Sequence, residues 1–273
     1  MGKIFDALER NKKEKSLGRV ERLPVDEPDK QVEKGPEPPS ARKLVVQGSL
    51  NPKLVVSSAP DSMDAENFKI LRTQILFPKN GKRPRIILIT SSFPGEGKTF
   101  VAANLAVSIA QSIDEHVLLL DCDLRRPTLH NMLGLSNTEG LHEYLTGKKE
   151  LPDLLIRTRF ERLSLLSAGV PSPNPSELLL STRMKELLKK VKGHNQDRFI
   201  IIDAPPTQIT AEAAVLSNYT EGIIFVVMAG KSPRITIQRN IEDLGKTKIM
   251  GIVFNGYSKS YKFYNKYYKK YYK

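Results

Sequence analysis

The sequence is poor in residues that cross-link a protein or anchor it in a membrane. Its 273 residues include one cysteine, Cys122, and no tryptophan. A single cysteine permits no internal disulfide, which fits a reducing compartment. The longest strongly apolar run, Ile223 to Met228, is far shorter than the roughly 18 residues that a membrane-spanning helix needs. The start of the chain lacks a secretion signal, and Asp6 stands where myristoylation at Gly2 requires Ser or Thr. These absences predict a cytoplasmic protein, at most peripheral to the inner face of the membrane.

The formal charge of +13 is concentrated in three segments. Residues 257–273 hold six lysines and no acid, residues 79–85 hold four bases, and residues 1–22 carry seven bases against four acids. The rest of the chain is neutral. Because the charge lies at the ends and in one loop, it favours tails that meet anionic surfaces or acidic partners. No nucleic-acid partner is expected of the domain itself.

Composition divides the chain into four segments. Residues 1–18 are predicted to contain a short amphipathic helix, with Ile4, Phe5 and Leu8 on one face, although a frayed terminus is an alternative. Residues 19–41 are rich in proline and charge, which predicts a disordered linker. Residues 42–256 form the predicted folded domain, and residues 257–273 form a tail.

Five unbroken apolar runs indicate strands that are buried on both faces, as in a mostly parallel sheet. They are Ile86 to Ile89, Val117 to Leu120, Phe199 to Ile202, Ile223 to Met228, and Ile249 to Phe254. One helix is predicted to follow the first run through Ile113, and another to run from an N-cap at Ser176 through Lys192. The predicted fold is an α/β sheet flanked by helices, in which ligands bind beyond the carboxyl ends of the strands.

A phosphate-binding P-loop follows the first apolar run and precedes a helix. The predicted nucleotide-binding residues are Ser92, Pro94, Gly95, Glu96, Gly97, Lys98, Thr99 and Phe100. The glycines let backbone N–H groups approach phosphate oxygens, Lys98 reaches the β- and γ-phosphates of ATP, and the Thr99 hydroxyl ligates Mg²⁺. The strict motif opens with glycine, whereas Ser92 stands there. A glycine turn before an ordinary helix is the structural alternative.

Carboxylates follow the second and third apolar runs. Asp121 and Asp123 flank Cys122 in a D-x-D, and Asp203 has the position of a Walker B aspartate near Mg²⁺. One carboxylate of the D-x-D can accept a proton while another holds the metal's water shell. Taken alone, the D-x-D could equally cap the next helix. The position of these acids at strand ends, together with the P-loop, predicts one nucleotide site.

These motifs together resemble the bacterial tyrosine kinases, called BY-kinases, of exopolysaccharide and capsule assembly. The resemblance rests on the P-loop at 92–99, the apolar run and D-x-D-x-R at 118–125, the Walker B segment at 200–206 and the segment at 173–179. It implies a P-loop NTPase-like fold and autophosphorylation with ATP and Mg²⁺. It also implies Lys98, Asp121, Asp123 and Asp203 as catalytic residues, with Asp121 as the base and with Thr99, Asp121 and Asp203 at the metal.

The resemblance also implies partners. Residues 66–73 are similar to the family's E-x-x-R-x-x-R helix of ring-shaped oligomers, with Glu66, Lys69 and Arg72 at the three key positions. Lys69 keeps the charge of the family's arginine but not its planar fork. The alternative is a solvated helix face on which Glu66 and Lys69 pair. Further implied partners are a membrane polysaccharide co-polymerase that activates the kinase and a cognate tyrosine phosphatase.

The tyrosines are crowded at the end of the chain. Seven of the nine are Tyr257, Tyr261, Tyr264, Tyr267, Tyr268, Tyr271 and Tyr272, interleaved with lysines that rule out a buried core. The resemblance implies that they are phosphorylated. A tail of this kind could instead stack on single-stranded RNA or lie on an anionic membrane.

The Min/Par class of ATPases is the main competing interpretation, because it shares the fold. Its P-loop carries a second lysine five residues before the shared one. Phe93 occupies that position here, which argues against the Min/Par class.

Overall fold

A computed structural model describes residues 48–79, 81–193 and 198–257. The chain divides into two units, residues 1–37 and 38–273, and every described residue belongs to the second. The predicted N-terminal helix, the proline-rich linker and the tyrosines from Tyr261 onward lie outside the described residues. Within the described ranges, no helix has the length and apolarity needed to cross a bilayer.

Most strands of the described chain are separated by one or more helices. In order, the elements are α1 (Val55–Ser58), α2 (Met63–Leu76), β1 (Ile86–Ser91), α3 (Lys98–Ala110), β2 (His116–Asp121), α4 (Leu129–Leu133), α5 (Leu141–Leu145), α6 (Leu151–Leu154), β3 (Ile156–Arg157), β4 (Leu163–Leu166), α7 (Pro175–Leu180), α8 (Thr182–Gly193), β5 (Arg198–Asp203), α9 (Glu212–Ser217), β6 (Gly222–Met228), α10 (Arg234–Asp243), a 3₁₀ helix (Lys246–Lys248) and β7 (Ile249–Asn255).

The strands form one seven-stranded sheet in the order β3-β4-β2-β5-β1-β6-β7. Every pairing is parallel except that of β3 with β4. This confirms the predicted α/β fold with a mostly parallel sheet. The register pairs Asp121 of β2 with Asp203 of β5 and Ile89 of β1 with that same Asp203. The strand ends that carry the predicted site therefore meet at one edge.

Two apolar cores lie on opposite faces of the sheet, because successive strand residues point to opposite sides. On one face, Leu88 and Leu120 pack with residues of α8 such as Leu187. On the other face, Ile87 and Leu119 pack with residues of α3. Strands β1, β2, β5 and β6 are therefore buried on both faces, as the unbroken apolar runs predicted.

The last apolar run does not follow that prediction. It forms β7, but β7 is an edge strand in which Met250, Ile252 and Phe254 are exposed. An apolar run alone cannot distinguish a central strand from an edge strand, because neighbours and covering helices decide burial. The short strands β3 and β4 carried too little pattern to be predicted.

Two helix predictions also need correction. The helix after the P-loop ends at Ala110, and Ile113 lies beyond it with 81% of its surface exposed. The segment predicted as one helix from Ser176 is two helices, broken where Ser181 adopts an extended backbone. Ser181 Oγ accepts a bond from the N–H of Met184, so it caps the second helix. The Ser176 side chain bonds elsewhere, to Glu212.

Gly140, just before α5, provides a test of this packing. A Cβ atom there would stand 2.0 Å from the backbone oxygen of Ser167. We expect Gly140→Ala to lower the free energy of unfolding by about 2–3 kcal/mol, because neither backbone can yield without losing hydrogen bonds. Urea denaturation measures the change. Gly193→Ala is the control, since a Cβ there meets nothing within 4 Å and should be neutral or stabilising by up to about 1 kcal/mol. Equal effects of the two variants would contradict the packing.

Candidate active site

The P-loop connects β1 to α3 and is shaped by two glycines with positive φ. Gly97, at φ +97°, precedes the first residue of α3, and Gly95 has φ +78°. A Cβ on Gly97 would lie 2.0 Å from Nδ2 of Asn255, so a side chain there would have to displace the Asn255 side chain and would also be strained by the positive φ. At Gly95, a Cβ would come within 3.2 Å of Nζ of Lys231, which places a second lysine beside the loop.

Glu96 connects the P-loop to neighbouring segments through hydrogen bonds. Its side chain is fully buried and accepts hydrogen bonds from the N–H of Phe93 (2.7 Å), the N–H of Met228 (3.2 Å) and the Ser232 hydroxyl. Its backbone oxygen accepts from Nδ2 of Asn255 at 2.9 Å. The carboxylate of Glu96 thus fixes the loop to the end of β6, and its backbone oxygen fixes the loop to the end of β7. Of the polar groups of Glu96, the N–H is left for phosphate.

The other predicted nucleotide-binding residues occupy distinct parts of the loop. Ser92 is buried, and its hydroxyl accepts a bond of 2.9 Å from Asn240 in α10. Pro94 is exposed, as is Gly95. Thr99 and Phe100 lie half-buried in the first turn of α3. Their N–H groups are among the four that a helix N-terminus leaves without an internal partner, so this end of α3 suits an anion.

Lys98 is paired with Asp123 across the site. The distance from Lys98 Nζ to Asp123 Oδ2 is 2.9 Å, and both side chains are largely buried. Burial lowers the pKa of Lys98, but the negative charges of Asp203 and Asp123 outweigh it and raise that pKa above the ordinary 10.5. The lysine is therefore positively charged and is held where a phosphate can replace Asp123 as its partner.

Asp121 is fully buried, and both of its oxygens accept backbone hydrogen bonds. Oδ1 accepts from the N–H of Asp123 at 3.1 Å, and Oδ2 accepts from the N–H of Leu129 at 3.3 Å. Burial, followed by the charge of Asp203, raises the pKa of Asp121 well above 3.8, although the Asp123 hydrogen bond acts in the opposite direction. A carboxylate with a raised pKa holds a proton more readily, as a general base requires.

Asp203 has two buried carboxylate oxygens without a well-formed hydrogen bond to any described residue. Burial raises its pKa above 3.8, while the charge of Lys98 and the nearby Thr99 hydroxyl partly offset that effect. Such oxygens suit the water shell of Mg²⁺. No group of three or more His, Cys, Asp or Glu in the described ranges could hold a metal by itself, so the phosphates would have to supply further ligands. The donor set fits Mg²⁺ bound with a nucleotide.

A network that the sequence did not reveal joins two of the motifs. Glu212, at the start of α9, is buried and accepts from Arg125 Nη2 at 3.0 Å and from Ser176 Oγ at 3.0 Å. Burial raises the pKa of Glu212, but hydrogen bonds from Thr210, its own N–H, Arg125 and Ser176 prevail and lower it. Glu212 was missed because it follows no strand directly. Asn255 does directly follow the last apolar run, so the rule that found Asp121 and Asp203 could have found it.

The predicted oligomer residues make contacts within the chain. Lys69 Nζ lies 3.1 Å from Glu66 Oε2, the pairing that the structural alternative predicted. Arg72 donates to the backbone oxygen of Ser108 in α3 at 2.9 Å. Tyr257, the first tyrosine of the cluster, is 56% exposed and its ring lies 5.6 Å from that of Phe254.

The sheet, the P-loop and the carboxylates define a P-loop nucleotide-binding protein with the ParA fold. Residues 82–262 match the ParA family described as NUBPL iron-transfer P-loop NTPase. Iron–sulfur clusters are held mostly by several cysteines, whereas the one cysteine of this chain, Cys122, is buried. The match therefore reports the fold.

Similar proteins identify the family within this fold. The chain is 36% identical to "Tyrosine-protein kinase YwqD" of Bacillus subtilis over 74% of its own length and 85% of that protein. It matches the crystal structure of the chimerical protein CapA2B2 with a TM-score of 0.71 and 34% identity, over 79% of this chain and 96% of that one. The match to MinD from Pyrococcus horikoshii, solved with Mg-ADP, has a TM-score of 0.52 and 30% identity, over 64% of this chain and 72% of that one. The chain belongs to the bacterial tyrosine-protein kinases, as its motifs predicted.

Asp203 provides a test of the charge cluster. We expect Asp203→Asn to abolish kinase activity but to raise the free energy of unfolding at pH 7 by about 1 kcal/mol, because a buried charge without good partners is removed. The pKa of Asp203 is higher in the folded chain than in the unfolded one, so its ionisation penalty is present above the raised pKa and vanishes below 3.8. The gain should therefore shrink as the pH falls.

Urea denaturation of the nucleotide-free protein at several pH values measures this difference. The exposed Asp153→Asn is the control and should change neither stability nor activity. A destabilised Asp203→Asn would contradict the uncompensated charge.

Proposed function

We propose that this kinase transfers phosphate from ATP to tyrosines of its own C-terminal cluster, with Mg²⁺ as cofactor. The observation that carries the proposal is the site itself: a charged Lys98 and a buried Asp203, whose oxygens lack a well-formed hydrogen bond to any described residue, placed beside a P-loop. The kinase family does not by itself specify the substrate. The seven tyrosines in residues 257–273 begin two residues after Asn255, which contacts the P-loop.

The side chains divide the binding work. Backbone N–H groups of the P-loop and of the first turn of α3 bind phosphate oxygens, and Lys98 exchanges Asp123 for the phosphates. Thr99 and Asp203 would hold Mg²⁺, which stabilises charge on the transferring phosphoryl group, and Asp121 stands beside them. A cavity of about 450 Å³ adjoins the loop between α2, α3 and β7, lined in part by Phe100 and Asn255, and we assign it to the nucleoside.

The transfer step needs a base and a positioned donor. The tyrosine oxygen attacks the γ-phosphorus, the bond from that phosphorus to the β-bridging oxygen breaks, and ADP leaves. The tyrosine proton passes to Asp121, whose pKa is raised by burial, so it holds a proton more readily than an exposed carboxylate does. Asp123 is the alternative general base, because it lies at the same strand end. Its ion pair with Lys98 would break when Lys98 binds the phosphates. A pH–rate profile of the Asp121→Asn and Asp123→Asn variants separates the two roles.

We further propose that the kinase acts in polysaccharide assembly at the inner face of the membrane. An activating membrane co-polymerase, a ring-like homo-oligomer built on α2 and a tyrosine phosphatase would be its partners. Support comes from the sequence resemblance and from the CapA2B2 chimera as a structural neighbour. Phosphorylation of all seven tyrosines would turn the tail from +6 to about −5 or below. The tail would then leave a neighbouring active site, and the oligomer would weaken.

Autophosphorylation is the direct test. We expect the purified chain with Mg-ATP to gain phosphotyrosine, the Lys98→Met variant to lose at least about 100-fold in rate, and a variant with all seven tyrosines changed to phenylalanine to gain none. Immunodetection of phosphotyrosine measures this, with the exposed Lys148→Met as the matched control. Phosphate release without phosphotyrosine would favour a Min/Par-like ATPase, and tail-dependent retention of RNA would favour a binding role.

The oligomer is tested by a charge swap on α2. Glu66→Lys with Lys69→Glu preserves an ion pair within the helix but reverses the charges presented to another copy. We expect the double variant to sediment as a monomer at concentrations where the parent chain forms an oligomer, with an unchanged melting temperature.

The phosphorylated parent should also sediment more slowly than Lys98→Met. Equal sedimentation of the swap and the parent would contradict the interface, and equal sedimentation of phosphorylated parent and Lys98→Met would contradict the charge switch.

A further inference from the structure

A large basic cavity lies at the amino ends of the strands, on the side of the sheet opposite the P-loop. Its volume is about 1270 Å³, and it is enclosed by the end of α2, the segment leading into β1 and the start of β7. Among the described residues, six bases and one acid, Glu221, line it. The bases are Lys79, Lys82, Arg83, Arg85, Lys192 and Lys248. None of these residues belongs to the nucleotide site described above.

The two arginines at the cavity are held in fixed positions. Arg83 and Arg85 both pair with the buried Glu115, at 2.5 Å and 3.4 Å, and their guanidinium groups lie over the ring of Phe199 at 5.8 Å and 4.9 Å. Nε of Arg83 also donates to the backbone oxygen of Leu76 at 2.8 Å. Such an arrangement loses little conformational entropy when an anion binds.

The remaining charges make the cavity mouth positive. Lys79 and Lys82 are exposed on the segment after α2. Lys192 pairs with Glu221, the one acid among the described lining residues, and Lys248 donates to the backbone oxygen of Ser217. Even when Glu115 is counted, the bases exceed the acids by four. The cavity therefore suits a ligand that carries several negative charges.

We propose that this cavity binds the phosphorylated C-terminal tail of the same chain. The inference rests on the proposed function, because the unphosphorylated tail carries six lysines and no acid and is repelled. Each phosphotyrosine adds about −1.5 to −2 charges, so the fully modified tail carries about −5 to −8. The cavity and the modified tail are thus complementary in charge.

The reach of the tail agrees with this pairing. The tail continues from the far end of β7, whereas Ile249 and Met250 at the start of β7 line the cavity. Seven strand residues span about 23 Å, and residues 258–273 can reach up to about 55 Å. The path follows an exposed sheet edge, since no described strand pairs with the outer side of β7. Tethering makes binding intramolecular, with an effective concentration of the order of millimolar.

Docking in this cavity would hold the modified tail away from the nucleotide edge of the sheet. Phosphorylation would then both repel the tail from active sites and give it a second place to bind. A phosphatase would have to compete with the cavity for its substrate.

A synthetic peptide tests the cavity without relying on the chain's own kinase activity. The peptide spans residues 257–273 with all seven tyrosines phosphorylated, and its fluorescence anisotropy is followed with the full chain in the absence of ATP. We expect binding that weakens as salt is raised and that falls at least tenfold in Lys79→Glu with Lys82→Glu. The matched control, Lys53→Glu with Lys148→Glu, reverses two exposed lysines outside the cavity and should bind as the parent does.

The same assay establishes whether the tail binds its own chain. Chain that has been phosphorylated beforehand should bind the peptide at least tenfold more weakly, at any protein concentration, because its own tail fills the cavity. Equal binding of the unphosphorylated peptide, equal binding by the Lys79→Glu, Lys82→Glu variant, or undiminished binding by the phosphorylated chain would overturn the inference. So would a lysine-dependent retention on phosphatidylserine vesicles without peptide binding, which would assign the surface to a membrane. A failure to autophosphorylate would contradict the proposed function but would leave the synthetic-peptide result unchanged.

Discussion

Burial of a small charge cluster at the carboxyl edge of the parallel sheet is the constraint on which this structure depends. The register of β2 with β5 sets Asp121 beside Asp203, and Lys98 enters from α3 to pair with Asp123. Three carboxylates share one lysine in surroundings where an unpaired charge is expensive. Apolar side chains of similar volume at these positions would often make a protein as stable or more stable. Their presence is explained when a polyanion and its divalent cation complete the site.

The surrounding contacts hold this cluster of buried charges in place. Glu96 ties the P-loop to the ends of β6 and β7, and Asn255 packs closely against Gly97, where a side chain would have to displace it. On the other side, Glu212 joins Arg125 of the D-x-D-x-R segment to Ser176 of the segment at 173–179. Two motifs that are distant in sequence therefore act through one buried carboxylate. Both bonds end on the same atom, Oε1 of Glu212, so the two segments share one acceptor.

Sequence reasoning predicted the parts that depend on local pattern. The apolar runs located β1, β2, β5 and β6. The P-loop motif and the strand-end rule predicted Lys98, Asp121 and Asp203 as site residues, and the structure brings them together at the carboxyl ends of the strands. Their roles stay predictions. It was less successful where tertiary contacts decide: β7 has a core-like sequence but no neighbour on one side, and the helix break at Ser181 leaves no strong signal. Glu212 and Lys231 come close to the site only through folding. For the residues outside the described ranges, including six of the seven tail tyrosines, the assigned structure and function are predictions from sequence.

We propose that the nucleotide site and the tyrosine tail are enzyme and substrate on one chain. Mass spectrometry of the purified chain after incubation with Mg-ATP, with each phosphate mapped to its residue, tests this most directly. We expect phosphate on several of the tyrosines in residues 257–273 and none in the Lys98→Met chain. Hydrolysis of ATP at a normal rate, with no phosphate on any of these tyrosines, would contradict it.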